Sequence, residues 1–314
     1  MDVVTFGESM VLFNPLSVGP LRYAQLFDKT VGGAESNVAI ALVRLGHQAG
    51  WISRLGSDEF GLYVRNFIRG EGVDTSRVIF DDQYPTAVFF KERQVQKESN
   101  IYYYRKLSAA SRMMPEDLDE SYIRQAKILH VTGITPALSD SCEQTLQRGI
   151  EIARSHGLQI TFDPNIRLKL WKAETARAKL LPIAKQADVV MPGFDEAKLL
   201  TGESTPEKMA AFFLELGAKT VVVKLGEKGA YFATDAESGY VPGYPVEQVV
   251  DPIGAGDGFA AGMISGMIRG WNTQASVELA NRVASYALTV VGDVEGFPFW
   301  PQVAPDGQRN IIHR

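Results

Sequence analysis

Short apolar runs alternate with amphipathic segments along most of this chain. In the amphipathic segments, apolar residues recur every three or four positions, as on one face of a helix, whereas the short runs have the length of buried strands. The clearest strand and helix pairs are residues 128–131 with 139–155, residues 159–163 with 173–185, and residues 188–191 with a helix from Asp195. This alternation predicts a mostly parallel sheet that is covered by helices on both faces.

A second pattern interrupts the alternation between residues 81 and 108. Residues 86–91 and 100–105 are β-rich segments, and the polar stretch 92–99 separates them. Two extended runs joined by a polar turn predict a hairpin. Residues 10–13 and 21–27 also look extended, so we expect the segments at about 10–30 and 84–107 to form a small sheet outside the main alternation.

The stretch Asp251-Pro-Ile-Gly-Ala-Gly-Asp257 stands where a predicted strand turns into a helix. Residues 239–250 have a β-type pattern, and residues 255–269 have helical spacing. Glycine lets bare backbone approach a ligand, and the first N–H groups of a helix lack internal partners, so this turn predicts an anion site. Two roles for Asp257 are open at this point. It is either a helix N-cap or the base that takes a proton from a substrate hydroxyl during phosphoryl transfer.

Composition and charge limit the function. The chain has 314 residues, of which 45% are hydrophobic, and its net charge of −5 without a dense Lys/Arg run argues against nucleic acid as the main partner. The single cysteine, Cys142, excludes an internal disulfide and a CxxC metal site, and the histidines show no metal-ligand spacing. No apolar run approaches a membrane span and no signal-type run opens the chain, so we expect a cytoplasmic protein without a membrane partner. Neither a Walker A pattern nor a complete GxGxxG occurs.

Four segments resemble motifs of the ribokinase-like (PfkB) family of sugar kinases. Gly32-Gly-Ala-Glu-Ser-Asn37 and Asp251-Pro-Ile-Gly-Ala-Gly-Asp257 are similar to its two signature regions. Lys224-Leu-Gly-Glu-Lys-Gly229 and Gly56-Ser-Asp-Glu-Phe-Gly61 are similar to further family segments. The resemblance implies one ribokinase-like kinase domain over residues 1–314, an α/β fold built as a three-layer α/β/α sandwich with a mostly parallel sheet plus a small β-sheet lid.

The same resemblance implies the small-molecule partners. ATP would be the phosphoryl donor with Mg²⁺ bound to the nucleotide, and a monovalent cation is left open. Since lid strands rich in Tyr, Phe and Val would leave an apolar edge or face exposed, we also expect a homo-oligomer joined through the lid.

Within the family, three segments resemble 2-keto-3-deoxygluconate kinases: residues 162–171, Tyr102-Tyr-Tyr-Arg105 and Gly292-Asp-Val-Glu-Gly296. They imply ATP-dependent phosphorylation of this sugar acid to 2-keto-3-deoxy-6-phosphogluconate. Fructokinases share the Asp-Pro-Asn-x-Arg segment, so a kinase for fructose or for another keto-sugar or keto-acid is the alternative. A nucleotide-binding regulator without catalysis is a third possibility, against which the retention of Asp257 and its glycines argues.

The resemblance assigns phosphoryl transfer to the start of the helix that begins at Ala255. Asp257 would be the base, and the backbone N–H groups of Gly254, Ala255 and Gly256 would hold the transferring phosphoryl group. We expect a low pKa for Asp257, because a helix N-terminus favours the ionised carboxylate.

The implied nucleotide contacts lie at the ends of several predicted strands and on a late helix. A plain β-turn, a loop-capping asparagine and helix packing are the alternatives for these residues. One departure from the family is Gly193, where many members have asparagine, so metal placement by this segment is left open although Glu196 is retained. The nucleotide-binding residues would be Asn165, Lys224, Gly226, Gly229, Gly254, Gly256, Asn281 and Ala284.

The substrate residues are implied by the first signature, the hairpin and two arginines. Arginine forks bind carboxylates through two parallel hydrogen bonds, so Arg105 and Arg167 suit a sugar acid better than a neutral sugar, with surface ion pairs as the alternative. The substrate-binding residues would be Gly33, Asn37, Phe89, Tyr103, Arg105, Arg167, Asp257 and Asp293.

Overall fold

The computed structural model describes residues 1–92 and 100–305. In these two ranges the strands belong to a larger and a smaller sheet. The strands are β1 (Val3–Phe6), β2 (Met10–Pro15), β3 (Phe27–Gly32), β4 (Ala49–Gly56), β5 (Val78–Asp81), β6 (Val88–Glu92), β7 (Asn100–Tyr104), β8 (Ile128–Thr132), β9 (Gln159–Asp163), β10 (Val189–Val190), β11 (Thr220–Lys224), β12 (Ala230–Thr234) and β13 (Ser238–Val241).

Helices follow most strands of the larger sheet, as the sequence pattern predicts. Several begin at a side-chain cap, since Asp58, Ser139 and Asn272 each accept a backbone N–H of the first helical turn. The helices are α1 (Ala34–Arg44), α2 (Glu59–Gly70), α3 (Glu120–Ile123), α4 (Thr135–Leu138), α5 (Asp140–Ser155), α6 (Ala173–Ala184), α7 (Phe194–Thr201), α8 (Pro206–Leu216), α9 (Ala255–Ile268), α10 (Thr273–Ala287) and α11 (Trp300–Val303).

The larger sheet has the strand order β13-β12-β11-β10-β9-β8-β1-β4-β5. The pairs from β5 through β11 are parallel, whereas β12 and β13 are added antiparallel at one edge. The parallel strands all point the same way, so the loops that follow them meet at the carboxyl ends of the strands. Ligands bind there in sheets of this kind.

Two apolar cores fill the two faces of this sheet. Alternate residues of one strand point to opposite faces, so Trp51 belongs to one core and its neighbour Ile52 to the other. The first core is closed by α1, α2, α9 and α10, and the second by α5, α6, α7 and α8. The predicted three-layer α/β/α sandwich is therefore confirmed.

The smaller sheet has the order β3-β2-β6-β7 and stands apart from the larger one. It contains the two segments that the sequence sets outside the alternation, including the predicted hairpin β6–β7. Residues 93–99, which make up most of the predicted polar turn, lie outside the described residues. That the smaller sheet acts as a lid stays a prediction.

Two predicted extended segments are wrong in part. Residues 21–27 were expected to be extended, but Leu21–Tyr23 form a 3₁₀ turn after Pro20, and the strand begins only at Phe27. Residues 239–250 were expected to be β-type, but strand β13 ends at Val241, because Pro242 has no N–H to continue the ladder.

Across residues 1–92 and 100–305, no helix combines the length and the apolar character that crossing a membrane requires.

Candidate active site

The start of α9 is shaped by a glycine that no other residue can replace without strain. Gly254 precedes the helix with φ 81° and ψ −16°, in the left-handed region that favours glycine. A Cβ on Gly254 would lie 2.2 Å from the carbonyl oxygen of Asp293. The backbone of Gly254 is therefore packed against the loop that carries Asp293, and the first N–H groups of α9 open beside it.

Asn37 joins the two acidic residues of this site. Its Nδ2 donates to Asp257 Oδ2 at 2.8 Å and to Asp293 Oδ2 at 3.3 Å. Asn37 lies in the first turn of α1, which begins directly after Gly33, so the first signature region meets the second across the sheet edge. The structure thus brings together three residues that the sequence assigns to substrate and catalysis.

The expectation of a low pKa for Asp257 is wrong. Burial raises its pKa to about 7, and the carboxylates of Asp163 and Asp293 act in the same direction. The hydrogen bond from Asn37 and the positive charge of Arg167 oppose this shift without cancelling it. Burial likewise raises the pKa of Asp293 to about 7. Desolvation therefore outweighs the helix N-terminus at this site.

Asp163 at the end of β9 and Lys224 at the end of β11 form an ion pair beside the first turn of α9. Lys224 Nζ donates to Asp163 Oδ2 at 2.7 Å, and it lies 3.8 Å from where a Cβ on Gly256 would stand. Burial disfavours the charge of Lys224, but the carboxylates of Asp163 and Glu196 outweigh it and raise the lysine pKa. A fixed positive charge therefore faces the first turn of α9.

Glu196 accepts hydrogen bonds from the protein backbone, and one of the donors is Gly193, the residue that departs from the family pattern. Glu196 accepts the N–H of Gly193 and the N–H of Ile166, each at 2.7 Å, and so holds the loop after β9 against α7. In that loop Asn165 has φ 36° and donates its N–H to Asp163 Oδ1 at 3.1 Å. Burial and the nearby charge of Asp163 raise the pKa of Glu196.

The remaining predicted nucleotide residues lie on two neighbouring elements. Gly226 and Gly229 form the turn between the antiparallel strands β11 and β12, both with positive φ. Asn281 Nδ2 donates to the carbonyl of Pro242 at 3.0 Å, beside a cavity of about 720 Å³, so its amide holds the segment after β13. The Cα of Ala284 lies 3.6 Å from where a Cβ on Gly258 would stand, so α10 packs closely on the start of α9.

The smaller sheet presents aromatic rings to the site. Phe89 and Tyr103 stack with ring centroids 5.5 Å apart. A Cβ on Gly32 would lie 2.8 Å from Phe89 Cζ and 2.5 Å from Asp293 Oδ2, so the phenyl ring adjoins the acidic pair. A Cβ on Gly33 would meet Ser9 and the carbonyl of Glu8 at 2.6 Å, so Gly33 is required for close packing here.

The two predicted arginines are in different settings. Arg167 is exposed, and its charge reaches Asp257. Arg105 is buried, and its Nη2 lies 2.6 Å from Glu8 Oε2. One nitrogen of the Arg105 guanidinium is therefore already paired with a carboxylate of the protein itself.

Sequence reasoning missed Glu8 and two residues of a buried ion pair, Lys91 and Asp251. Asp251 lies inside a motif but was given no role of its own. Lys91 stands near the end of a strand, where a lysine is usually solvated, so its position in the sequence gave no signal of burial.

Known proteins resemble the chain over nearly its whole length. Residues 1–300 match the pfkB family of carbohydrate kinases. The chain is 41% identical over 300 residues to the 2-dehydro-3-deoxygluconokinase of Bacillus subtilis (strain 168), which covers 95% of this chain and 93% of that protein. It is 34% identical over 307 residues to Fructokinase-1 of Oryza sativa subsp. japonica, with 94% of each covered.

A solved structure described as a ribokinase II from E. coli, in complex with ATP and Mg²⁺, superposes with a TM-score of 0.90. It is 28% identical in sequence and covers 96% of this chain and 97% of that one. The resemblance drawn from the signature motifs is thereby confirmed. Because the family match spans residues 1–300 and the relatives are covered almost completely, this chain belongs to the pfkB family of carbohydrate kinases and is an ATP-dependent sugar kinase.

Proposed function

We propose that this kinase transfers the terminal phosphoryl group of ATP to the 6-hydroxyl of 2-keto-3-deoxygluconate. The observation that carries the proposal is the position of Asp257 in the first turn of α9. There it accepts a hydrogen bond from the side-chain amide of Asn37, and the positive charge of Arg167 interacts with its carboxylate. The 41% identity to a 2-dehydro-3-deoxygluconokinase supports this substrate, since dehydro and keto name the same carbonyl group.

Asp257 is the proposed base. Asn37 holds its Oδ2, which leaves Oδ1 to accept the proton of the substrate hydroxyl as that oxygen attacks phosphorus. Burial raises the pKa of this carboxyl to about 7, so it remains mostly ionised above neutral pH and accepts a proton more readily than an ordinary aspartate.

The first turn of α9 is the proposed anion hole. The N–H groups of Gly254, Ala255 and Gly256 lie directly before and within the first turn, where N–H groups have no partner inside the helix, and they carry partial positive charge. The ammonium of Lys224 adds a full charge on the same side. Together they would stabilise the negative charge that develops on the phosphoryl oxygens.

The residues present fit ATP and Mg²⁺. Asp163 and Glu196 lie close enough for the charge of Asp163 to raise the pKa of Glu196, and a divalent cation brought by the nucleotide would relieve this repulsion. When bound, Mg²⁺ would neutralise charge on the phosphates. Lys224, Gly226 and Gly229 would contact the phosphates of ATP. Asn281 and Ala284 would border its adenine ring.

Arg167 is the proposed ligand of the substrate carboxylate. It is exposed and close to Asp257, so it can bind a new anion, whereas Arg105 already pairs with Glu8. We therefore expect Arg167 to contribute most of the preference for an acid and Arg105 to contribute a smaller part through its free donors. Phe89 and Tyr103 would form the apolar wall of the sugar site.

A substrate panel tests the proposal. ADP formation with Mg-ATP should be fastest with 2-keto-3-deoxygluconate and slower with its galactonate epimer and with fructose. If fructose is the best substrate, the result would favour the fructokinase alternative. The 34% identity to Fructokinase-1 supports that alternative. ADP formation that does not depend on any sugar of the panel would overturn the proposal.

Arg167→Met tests the carboxylate contact. A charge-assisted hydrogen bond contributes about 1.5–3 kcal/mol, so kcat/KM for the acid should fall roughly 10- to 100-fold. The loss for fructose should be much smaller, because fructose has no carboxylate. Lys172→Met removes an exposed positive charge five residues further along and should leave both rates unchanged. Equal losses for acid and fructose in Arg167→Met would instead assign Arg167 to ATP.

A further inference from the structure

Lys91 is a buried lysine on the smaller sheet. Its side chain reaches Asp251, in the segment that leads into α9. Its side chain in β6 is only 4% exposed, and its Nζ donates to Asp251 Oδ2 in a buried ion pair. The partner, Asp251, opens the stretch that leads to Gly254 and the first turn of α9. A lysine is seldom buried to this degree without a specific partner.

Asp251 in turn holds two loops of the active site. Its Oδ1 accepts the N–H of Ile253 at 3.2 Å, one residue before Gly254. Its Oδ2 accepts the N–H of Gly292 at 3.4 Å, one residue before Asp293. One carboxylate therefore fixes both the approach to the anion hole and the approach to the second acidic residue.

The charge of Lys91 also reaches Asp293. Burial raises the pKa of Asp293, and the ammonium of Lys91 is among the groups that oppose this rise. A second contact joins the same sheet to the same loop, because Thr30 Oγ1 donates to Glu295 Oε1. The smaller sheet is thus attached to the loops that carry Asp251 and Asp293 by an ion pair and by a hydrogen bond from a hydroxyl to a carboxylate.

We infer that Lys91 is a positioning residue for phosphoryl transfer. It acts through Asp251, which holds the first turn of α9 and the loop of Asp293 in a fixed position relative to each other. The pair is buried, so losing the ammonium would leave Asp251 with an uncompensated charge that the loops must move to solvate. This inference rests on the proposed role of the α9 N-terminus, and a shift of about 1 Å there can cost roughly 100-fold in rate.

Hydrogen exchange tests the positioning without any substrate. In Lys91→Ala the amides of Ile253 and Gly292 should exchange about tenfold faster than in the wild type, because both donate to Asp251. Lys29→Ala removes an exposed lysine from the same sheet and should leave these amides unchanged. Unchanged exchange in Lys91→Ala would overturn the inference, whatever the substrate of the enzyme proves to be.

Kinetics separate positioning from general stability. With the best sugar of the panel, Lys91→Ala should lower kcat by about 10- to 100-fold and change the KM for ATP far less. Propylammonium, which matches the deleted side chain, should restore kcat in a saturable way, while tetramethylammonium at equal ionic strength should not. A lower Tm with wild-type kcat would show a merely structural role and contradict the inference.

A neutral double variant covers the case in which Lys91→Ala fails to fold. Lys91→Met with Asp251→Asn leaves no buried charge, and the asparagine oxygen still accepts the N–H of Ile253. Its Tm should lie near that of the wild type, yet its kcat should stay at least about tenfold lower, because the charged contact to the smaller sheet is gone. Wild-type kcat in this folded variant would overturn the inference.

Discussion

Asp257 is subject to two opposing influences at the residue scale. The N-terminus of α9 favours a negative charge, but burial among other carboxylates disfavours it more strongly and raises the pKa to about 7. A carboxyl with this pKa is well suited to general-base work near neutral pH. The same burial destabilises the ionised folded protein, so the proposed role as base and the stability of the fold are in conflict at this side chain.

The pH dependence of the rate follows from this pKa. In the free enzyme, kcat/KM should be constant above about pH 7 and should fall as the pH drops below 7, because the base becomes protonated. Asp293 has a similar raised pKa and shares Asn37, so the acid limb belongs to the pair. Asp293→Asn should leave a single protonation. An acid limb near pH 4 would contradict the raised pKa.

Asp257→Asn should separate the two influences. We expect kcat to fall by about 10²–10⁴-fold with ATP binding retained, because only the base is lost. Asp257 has a folded pKa raised above its unfolded value, so its relative cost to stability grows as pH rises from about 4 to about 7. Thermal denaturation should therefore show that the variant gains stability over the wild type at pH 8 and gains less at pH 5. A kcat within a few-fold of wild type would show that Asp257 is not the base; the helix N-cap alternative does not apply, because Gly254 occupies that position and Asp257 lies inside the first turn of α9.

At the element scale, the site depends on how α9 begins. Gly254→Ala would strain a positive φ and also drive a Cβ into the carbonyl of Asp293. We expect a loss of stability above 1 kcal/mol and a fall in kcat of about 100-fold. Gly270, at the other end of the same helix, has φ 72° and no atom within 4 Å of a Cβ position.

Gly270→Ala is therefore the matched control. It carries the backbone strain without the clash, so it should lose roughly 1 kcal/mol of stability and keep the wild-type kcat. Denaturant unfolding and steady-state kinetics on both variants check this. Equal kcat in the two variants would show that the contact with Asp293 does not matter for the reaction.

The sequence predicted most elements of the larger sheet because apolar periodicity reports burial directly. It failed where chemistry other than hydrophobicity decides, as in the turn after Pro20 and the end of β13 at Pro242. Motifs placed Asn37, Asp257 and Asp293 in one site: Asn37 and Asp257 lie in the first turns of α1 and α9, and Asp293 lies in the loop after α10. The raised pKa of Asp257 and the burial of Lys91 depend on distant elements, which no local pattern records.

At the scale of the whole molecule, the smaller sheet has two unlike faces. Phe89 and Tyr103 lie on the face toward the site, whereas Phe13, Phe90 and Tyr104 form an aromatic cluster on the other face. Tyr104 is 66% exposed. A partly exposed aromatic face of this kind favours contact with another protein, and a second copy of this chain is the partner that we predict.

Light scattering on the purified protein tests this prediction. The wild type should be a homo-oligomer, most simply a dimer. Tyr104→Asp should shift it toward the monomer, because it buries a charge in the contact. Phe299→Asp alters an exposed aromatic residue outside the smaller sheet and should leave the mass unchanged. A monomeric wild type would contradict an oligomer through this surface.

The hydrogen bond from Asn37 to Asp257 joins residues 220 positions apart, and this separation matters during synthesis of the chain. Among residues 1–92 and 100–305, the strands of the larger sheet lie within residues 3–241, before the first residue of the Asp251–Asp257 motif. A chain that is still on the ribosome can therefore pair these strands before the proposed base and the proposed anion hole have been synthesised. Under the proposed mechanism, activity requires that residues 251–257 have emerged and that α9 has packed against α1, so we expect a product terminated before Asp251 to carry the sheet without consuming ATP.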